Sequence, residues 1–369
     1  MARRRRRRAA QGGTVLILVI AVAAVLVAVR PTPTTPGSPS PSPRASATRA
    51  PHHKHKRAHS GSAARSRSRS GPLSLVIEPN AGPAPVYALL RSARRSVDVE
   101  IYELEDDQAD AILAADAARG VHVRVLLNEH YVGRYNQPAF SYLQSHGVAV
   151  RWAPARFDLT HEKAIVVDGR RLAIMSMNLT ARYYSSTRDF VLLDDRRADA
   201  AAVAAIFADD WANGGLPASS PADLVWSPGA QDALVALIDS ARHRLLVENE
   251  EMDDDAVTSA LQAAARRGVA VEVVMTRESS WAAAFGALAR AGVAVRTYAA
   301  SAALYIHAKA IVVDPGTARA RAFVGSQNFS AASLLYNREL GLVTSRPAIV
   351  AALAAVIARD GAGATPWRP

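Results

Sequence analysis

The stretch His161-Glu162-Lys163-Ala164-Ile165-Val166-Val167-Asp168 returns 146 residues later as His307-Ala308-Lys309-Ala310-Ile311-Val312-Val313-Asp314. Four apolar residues between a His-x-Lys and an Asp read as a short buried strand. Side chains alternate along a strand, so the His and Lys, two apart, project from one face. The Asp falls at the strand end, before Gly169 in one copy and Pro315-Gly316 in the other, where a turn is expected. A single His-x-Lys is most often surface decoration. Duplication explains why an Ile-Val-Val core is kept, but it gives no structural reason to keep a His and a Lys on one face twice. The doubled motif therefore marks a site shared by two equivalent units.

The flanks repeat as well. Ser176 and Asn178 follow the first motif, and Ser326 and Asn328 follow the second. Eleven positions beyond each Asn stands an acid, Asp189 or Glu339, directly after Arg188 or Arg338. Upstream, each half offers Val-rich strands alternating with helical runs, which indicates α/β layering with parallel strands and helices on both faces. The expected halves are residues 73–216 and 222–369, parted by the breaker-rich stretch 214–221. Four extra residues between Asp314 and Ser326 are expected to lengthen a hairpin near 316–321.

Two His, two Lys and two Asn brought together suit a phosphodiester. Lys163 and Lys309 supply charge to an anion and its transition state; Asn178, Asn328, Ser176 and Ser326 supply neutral hydrogen bonds. One imidazole attacks phosphorus and the other protonates the leaving oxygen. Asp189 and Glu339 each orient a histidine through its second nitrogen. Glu103, Glu105, Asp106 and Asp107, and Glu250, Glu251, Asp253, Asp254 and Asp255, are read as loop and helix-cap charges.

The chain has 369 residues, 44 basic and 33 acidic, for a net +11. Fifteen of the basic residues and none of the acids lie in residues 1–72, so the body carries 29 against 33, a net of −4. A nucleic-acid groove is usually basic, so nucleic acid is not the favoured partner. The absence of cysteine excludes disulfides, thiol nucleophiles and thiolate metal sites. Residues 1–13 form a basic head, and 14–29, TVLILVIAVAAVLVAV, read as an uncleaved signal-anchor transmembrane helix. The positive-inside rule would then put the catalytic body outside the cytoplasm. Residues 30–72, rich in Pro, Ser, Arg and His, read as a disordered linker. His52, His53 and His55 in it are a weak metal candidate.

The paired H-x-K-x4-D motifs with trailing S-x-N resemble the phospholipase D superfamily, over about residues 74–358. The resemblance implies two tandem duplicated phospholipase D-like α/β domains forming a pseudo-dimer, with the site between them. It implies metal-independent, cofactor-free chemistry through a covalent phosphohistidine. His161 would be the nucleophile and His307 the acid/base, in catalytic sets His161, Lys163, Asp168 and His307, Lys309, Asp314. Within those sets the aspartates would be structural or orienting. The sequence departs from the family at Met175-Ser176, where Gly is common, as in Gly325-Ser326; Met175 is expected to narrow the pocket. The resulting expectation is a membrane-anchored, monomeric phospholipase D-type phosphodiesterase that hydrolyses or transfers a phospholipid headgroup. The alternatives are a cardiolipin synthase-like phosphatidyl transferase, an exported nuclease and a cell-envelope binding protein.

Overall fold

The apolar runs become strands of two sheets that share one strand order. The computed structural model describes residues 73–215 and 220–368. The first half opens with β1 (Leu73–Glu78), α1 (Ala84–Arg91), β2 (Ser96–Ile101), β3 (Leu104–Glu105), α2 (Asp107–Ala118) and β4 (His122–Leu127). It continues through α3 (Gly133–Ser145), β5 (Ala149–Trp152), β6 (Lys163–Val167), β7 (Arg171–Met175), β8 (Leu179–Thr180), β9 (Thr187–Asp194) and α4 (Arg197–Trp211). The second half opens with β10 (Leu224–Ser227), α5 (Ala230–Asp239), β11 (Arg244–Glu248), α6 (Asp255–Arg266), β12 (Ala270–Thr276), α7 (Ala282–Arg290) and β13 (Ala294–Tyr298). Then come β14 (Tyr305–Ile306), β15 (Ala310–Val313), β16 (Arg321–Gly325), α8 (Ala331–Leu335), β17 (Glu339–Thr344), α9 (Pro347–Gly363) and β18 (Thr365–Pro366).

The sheets run β1-β9-β7-β6-β2-β4-β5 and β10-β17-β16-β15-β11-β12-β13-β18. Within the two main strand orders β2-β4-β5 and β11-β12-β13 pair in parallel, whereas the motif strands β6 and β15 run antiparallel to β2 and β11. This corrects the expected parallel sheet. A hairpin links β6 to β7 and β15 to β16, and a hairpin makes antiparallel neighbours whereas a parallel pair needs a helical crossover. The lengthened hairpin spans 314–320, against 168–170 in the first half.

Each motif strand is buried on both faces. In β6, Ile165 and Val167 join the core under α1, α2 and α3, while Ala164 and Val166 face a second core shared by both halves. That shared core also takes in Ile174, Phe190 and Leu192 from one half and Val312, Val324 and Leu342 from the other. The described residues accordingly fall in one compact unit. The halves also exchange backbone: β14, from the second half, pairs in parallel with β9 of the first, and Thr160 bridges to Arg338.

Met175 is wholly buried in the first-half core, so it does not line a pocket as expected. It pairs with Val191; the equivalent pair is Gly325 with Gly341. A Cβ on Gly341 would sit 2.6 Å from the Phe323 Cζ, so that ring, standing where the first half has Ala173, fills the space the glycines leave. The two halves thus conserve volume by trading which residue is large.

Residues 1–72, with the head, the expected span at 14–29, the linker and its three histidines, lie outside the described residues, as do 216–219. Among the described residues no helix is long and apolar enough to cross a membrane. The longest, α9, has 17 residues, about 26 Å at 1.5 Å per residue against a hydrocarbon core of about 30 Å. It also carries Asp360, which is ion-paired to Arg188. No described helix supports the single-pass anchor, so it is withdrawn, with the bilayer partner and the extracytoplasmic location that rested on it.

Candidate active site

Each motif histidine precedes its strand and is fixed by the other half. The His161 N–H donates to the Arg338 carbonyl at 2.9 Å, and the His307 N–H to the Arg188 carbonyl at 3.2 Å. The residue after each arginine is the acid. His161 Nδ1 lies 2.9 Å from Glu339 Oε2, and His307 Nδ1 lies 2.8 Å from Asp189 Oδ1. Carboxylates on both Nδ1 atoms leave both Nε2 atoms for chemistry. The crossing follows from the exchanged backbone: strand pairing that joins the halves delivers each acid to the opposite histidine.

The arginines are anchored by reciprocal ion pairs. Arg338, wholly buried, meets Asp210 at the end of α4, and Arg188 meets Asp360 near the end of α9. Each aspartate lies 22 positions beyond the arginine of its own half, 188 to 210 and 338 to 360, and pairs with the arginine of the other.

The lysines are buried at 1% and 0% exposure. Lys163 Nζ donates to the His161 carbonyl at 2.7 Å and stands 5.1 Å from the Tyr102 ring centroid. Burial brings its ammonium down to about 7, against the opposing pull of Glu339. Lys309 Nζ donates to the His307 carbonyl and, at 2.8 Å, to Glu250 Oε2. Ser176 donates to Asp189 at 2.6 Å, and the Ser333 hydroxyl and Asn337 amide donate to Glu339. Ser326 Oγ accepts from the Leu340 N–H, next to Glu339. Asn328 Nδ2 donates to Glu251, while the Oδ1 atoms of Asn328 and Asn178 have no protein partner.

The two histidine pairs differ electrostatically. Burial, reinforced by Lys163 and Lys309, pushes His161 well below the ordinary histidine range. Burial raises its partner Glu339 to about 7, despite Lys163 and the hydroxyl and amide donors. Burial also works against Asp189, but His307, Lys309 and the Ser176 hydroxyl outweigh it and hold that carboxyl below its usual value.

Asp168 and Asp314 stand at the opposite strand ends, five residues beyond the motif lysines and about 17 Å from them at roughly 3.3 Å per residue. Each accepts three backbone N–H groups, from Arg94, Arg95 and Ser96 or from Arg242, His243 and Arg244. Both adopt positive φ, 54° and 45°. They tie the end of the motif strand to the start of its neighbour and are not brought to the site.

The acidic clusters divide. Asp106 and Asp254 cap α2 and α6 as expected. Glu103, Glu250 and Glu251 lie in loops after β2 and β11, as read from the sequence, but they are buried beside the motifs. Burial raises Glu103 and Glu251 to about 7. Burial opposes ionisation of Glu250 too, but Lys309 and His307 hold it well below the carboxylate range. The available signal was position: these residues follow the carboxyl ends of β2 and β11, where open α/β sheets place ligands. Among the described residues no group of three or more His, Asp or Glu has a metal-holding arrangement.

Both halves match one family, described as cardiolipin synthase, PLD-like domain, over residues 86–211 and 234–360. A curated relative, cardiolipin synthase A of Pseudomonas entomophila (strain L48), is 27% identical over 323 residues. That match takes in 74% of this chain and 64% of the relative, so the chain spans under two thirds of the relative's length. Among solved structures, phosphatidylserine synthase of Haemophilus influenzae Rd KW20 superposes with a TM-score of 0.62 at 12% identity, over 80% of this chain and 87% of that one. Polyphosphate kinase of Porphyromonas gingivalis gives a TM-score of 0.60 at 14% identity, over 78% and 50%. At these identities the likeness is one of fold.

Proposed function

The chain belongs to the phospholipase D superfamily, as an enzyme whose two halves are both PLD-like domains, and on that premise we propose that it is a cardiolipin synthase-like phosphatidyl transferase. This replaces the membrane-anchored phospholipase expected from the sequence, because the anchor is withdrawn and the matched family and the curated relative are both of cardiolipin synthase type. The observation that carries the reading is the reciprocal pairing of each Nδ1 with the other half's acid, which leaves two imidazoles with Nε2 open to chemistry, one of them, His161, held well below the ordinary histidine range by burial.

His161, kept neutral by burial, attacks phosphorus through Nε2. The P–O bond to the first alcohol breaks, and that oxygen takes the proton from His307 Nε2. An acceptor hydroxyl then gives its proton to His307 and attacks phosphorus, and the P–N bond breaks. Two phosphatidylglycerols become cardiolipin and glycerol; with water as acceptor the product is phosphatidic acid. An ammonium has three N–H groups, and Lys309 has two engaged with His307 and Glu250, which leaves one for a phosphate oxygen. The amides of Asn178 and Asn328 and the ammonium of Lys163 complete the cradle for the equatorial oxygens.

The test is the full chain with phosphatidylglycerol vesicles and chelator, with lipid products read by mass spectrometry. Cardiolipin and free glycerol are expected, and His161→Ala and His307→Ala should abolish both. Product formation that survives either substitution overturns the mechanism. Faster cleavage of single-stranded DNA than of any lipid would put the nuclease alternative in its place.

A further inference from the structure

The half-sites differ at one position next to the reacting nitrogens. Val97 and Leu245 occupy equivalent places, each paired with the last valine of its motif strand. Counting five residues on, Tyr102 in the first half corresponds to Glu250 in the second. The Tyr102 ring meets His161 edge-on, with centroids 4.8 Å apart and planes at 66°. Glu250 instead places Oε2 2.8 Å from Lys309 Nζ and 3.5 Å from His307 Nε2. Its Oε1 accepts from the Tyr305 hydroxyl at 3.1 Å.

Asp189 occupies His307 Nδ1, so Nε2 is the nitrogen left to carry a proton to or from substrate. The charged and titratable groups around this imidazole are Asp189 from β9, Glu250 beyond β11, Lys309 from its own motif, and His161 from the other half. At 3.5 Å the Glu250 carboxylate is too far for a good hydrogen bond yet close enough for its negative charge to act directly on the Nε2–H. The Nε2–H therefore stays available to a leaving oxygen while its charge is supported. Lys309 and Tyr305 hold the carboxylate in that place. In the first half the equivalent position holds an uncharged aromatic ring, and the Glu250 charge reaches His161 only from the other half, where burial and the two lysines outweigh it.

We propose that Glu250 is a positioning residue that keeps the transferable proton on His307 Nε2, and that Tyr102 at the equivalent place leaves His161 as nucleophile. The inference rests on the phosphodiester-transfer reading of the site. Glu250 neither gains nor loses a proton in the cycle. The proton passes from His307 to the first alkoxide and returns from the acceptor hydroxyl.

The experiment compares two lipid-free diesters on the full chain. Bis(p-nitrophenyl) phosphate expels a leaving group that scarcely needs an acid; diphenyl phosphate expels one that does. For Glu250→Gln, the alkaline limb of kcat/KM on diphenyl phosphate should move down by about 1–3 pH units, the range for one nearby opposite charge. Above both limbs that is roughly a tenfold loss per unit. The loss on bis(p-nitrophenyl) phosphate should be much smaller, so the ratio between the esters widens. Glu250→Asp should fall between wild type and Glu250→Gln. An unmoved alkaline limb, or equal loss on both esters, overturns the proposal. If Glu250→Gln does not fold, Glu250→Asp and Tyr305→Phe decide: both should move the limb the same way, and an unmoved limb in both overturns it. Because neither probe is a lipid, wild-type failure on phosphatidylglycerol would count against the transferase reading alone.

Discussion

Arg338 is the most informative residue to remove outside the reacting groups. Its guanidinium is wholly buried, with Nε 2.8 Å from Asp210 Oδ2 and Nη2 2.9 Å from Oδ1, and it stacks over Phe157 at 4.3 Å. Arg338→Met keeps the aliphatic volume and leaves Asp210 buried with less compensation. Breaking one side of a buried pair costs about 3–5 kcal/mol. Arg156, at the edge of the cluster, also bonds Asp210, which sets the expectation at the lower end, ~3 kcal/mol. That is a large part of an ordinary domain's stability of about 5–15 kcal/mol. Burial already raises the Asp210 carboxyl, against the pull of Arg338, so without the arginine it should take up a proton readily at low pH. The loss in urea unfolding should therefore be larger at pH 8 than at pH 5.5. Arg338→Met with Asp210→Leu should recover most of it, because a matched apolar pair removes both desolvated charges. A loss below about 1 kcal/mol at pH 8, or a double variant no better than the single, would refute the view that this pair holds the crossing in place.

The pH–rate profile of wild type should have its acid limb below the ordinary histidine range, since burial makes His161 reluctant to take the proton that would silence it; a limb at or above pH 6.5, the ordinary histidine value, would contradict this. Asp314→Ala should cost about 2–4 kcal/mol, from three charge-assisted hydrogen bonds to backbone, with kcat of the folded protein nearly unchanged; a collapse of kcat at intact stability would make the aspartate catalytic. Asp110 is raised to about 7 by burial and its neighbours Asp106 and Asp107, so the native state holds a proton that the unfolded chain releases near pH 4. Its contribution falls as pH rises through that window, by roughly 2–4 kcal/mol in all, and Asp110→Asn should flatten the loss of stability between pH 5 and 8 seen by urea unfolding. Gly341→Ala should destabilise by about 1–3 kcal/mol through overpacking against Phe323, visible as a lowered Tm.

The duplication, the buried strands and the site residues could be read from the sequence because a period of 146 residues repeats chemistry as well as hydrophobicity. The antiparallel course of β6 and β15 could not, since an apolar run of four looks the same in either direction. The crossing of acids was not legible either: Asp189 follows Asn178 in sequence, yet it serves His307 through contacts made by the other half. Glu250 and Glu251 read as ordinary loop charges because they sit in an acidic run, Glu250 to Asp255, of which only part is exposed. The alignment of Glu250 with Tyr102 was available in the repeat, but its meaning depends on the reach of a carboxylate to Nε2, which only coordinates supply.

The exchange of acids has a consequence for the growing chain. His161 and Lys163 are synthesised long before Glu339, and the acid that serves His307 is useless until β14 has docked on β9. A nascent or half-folded chain thus carries a complete motif with no oriented imidazole. On the proposed mechanism, chemistry waits for β14 and β17 to be in place, so catalytic competence would report that the two halves have folded together.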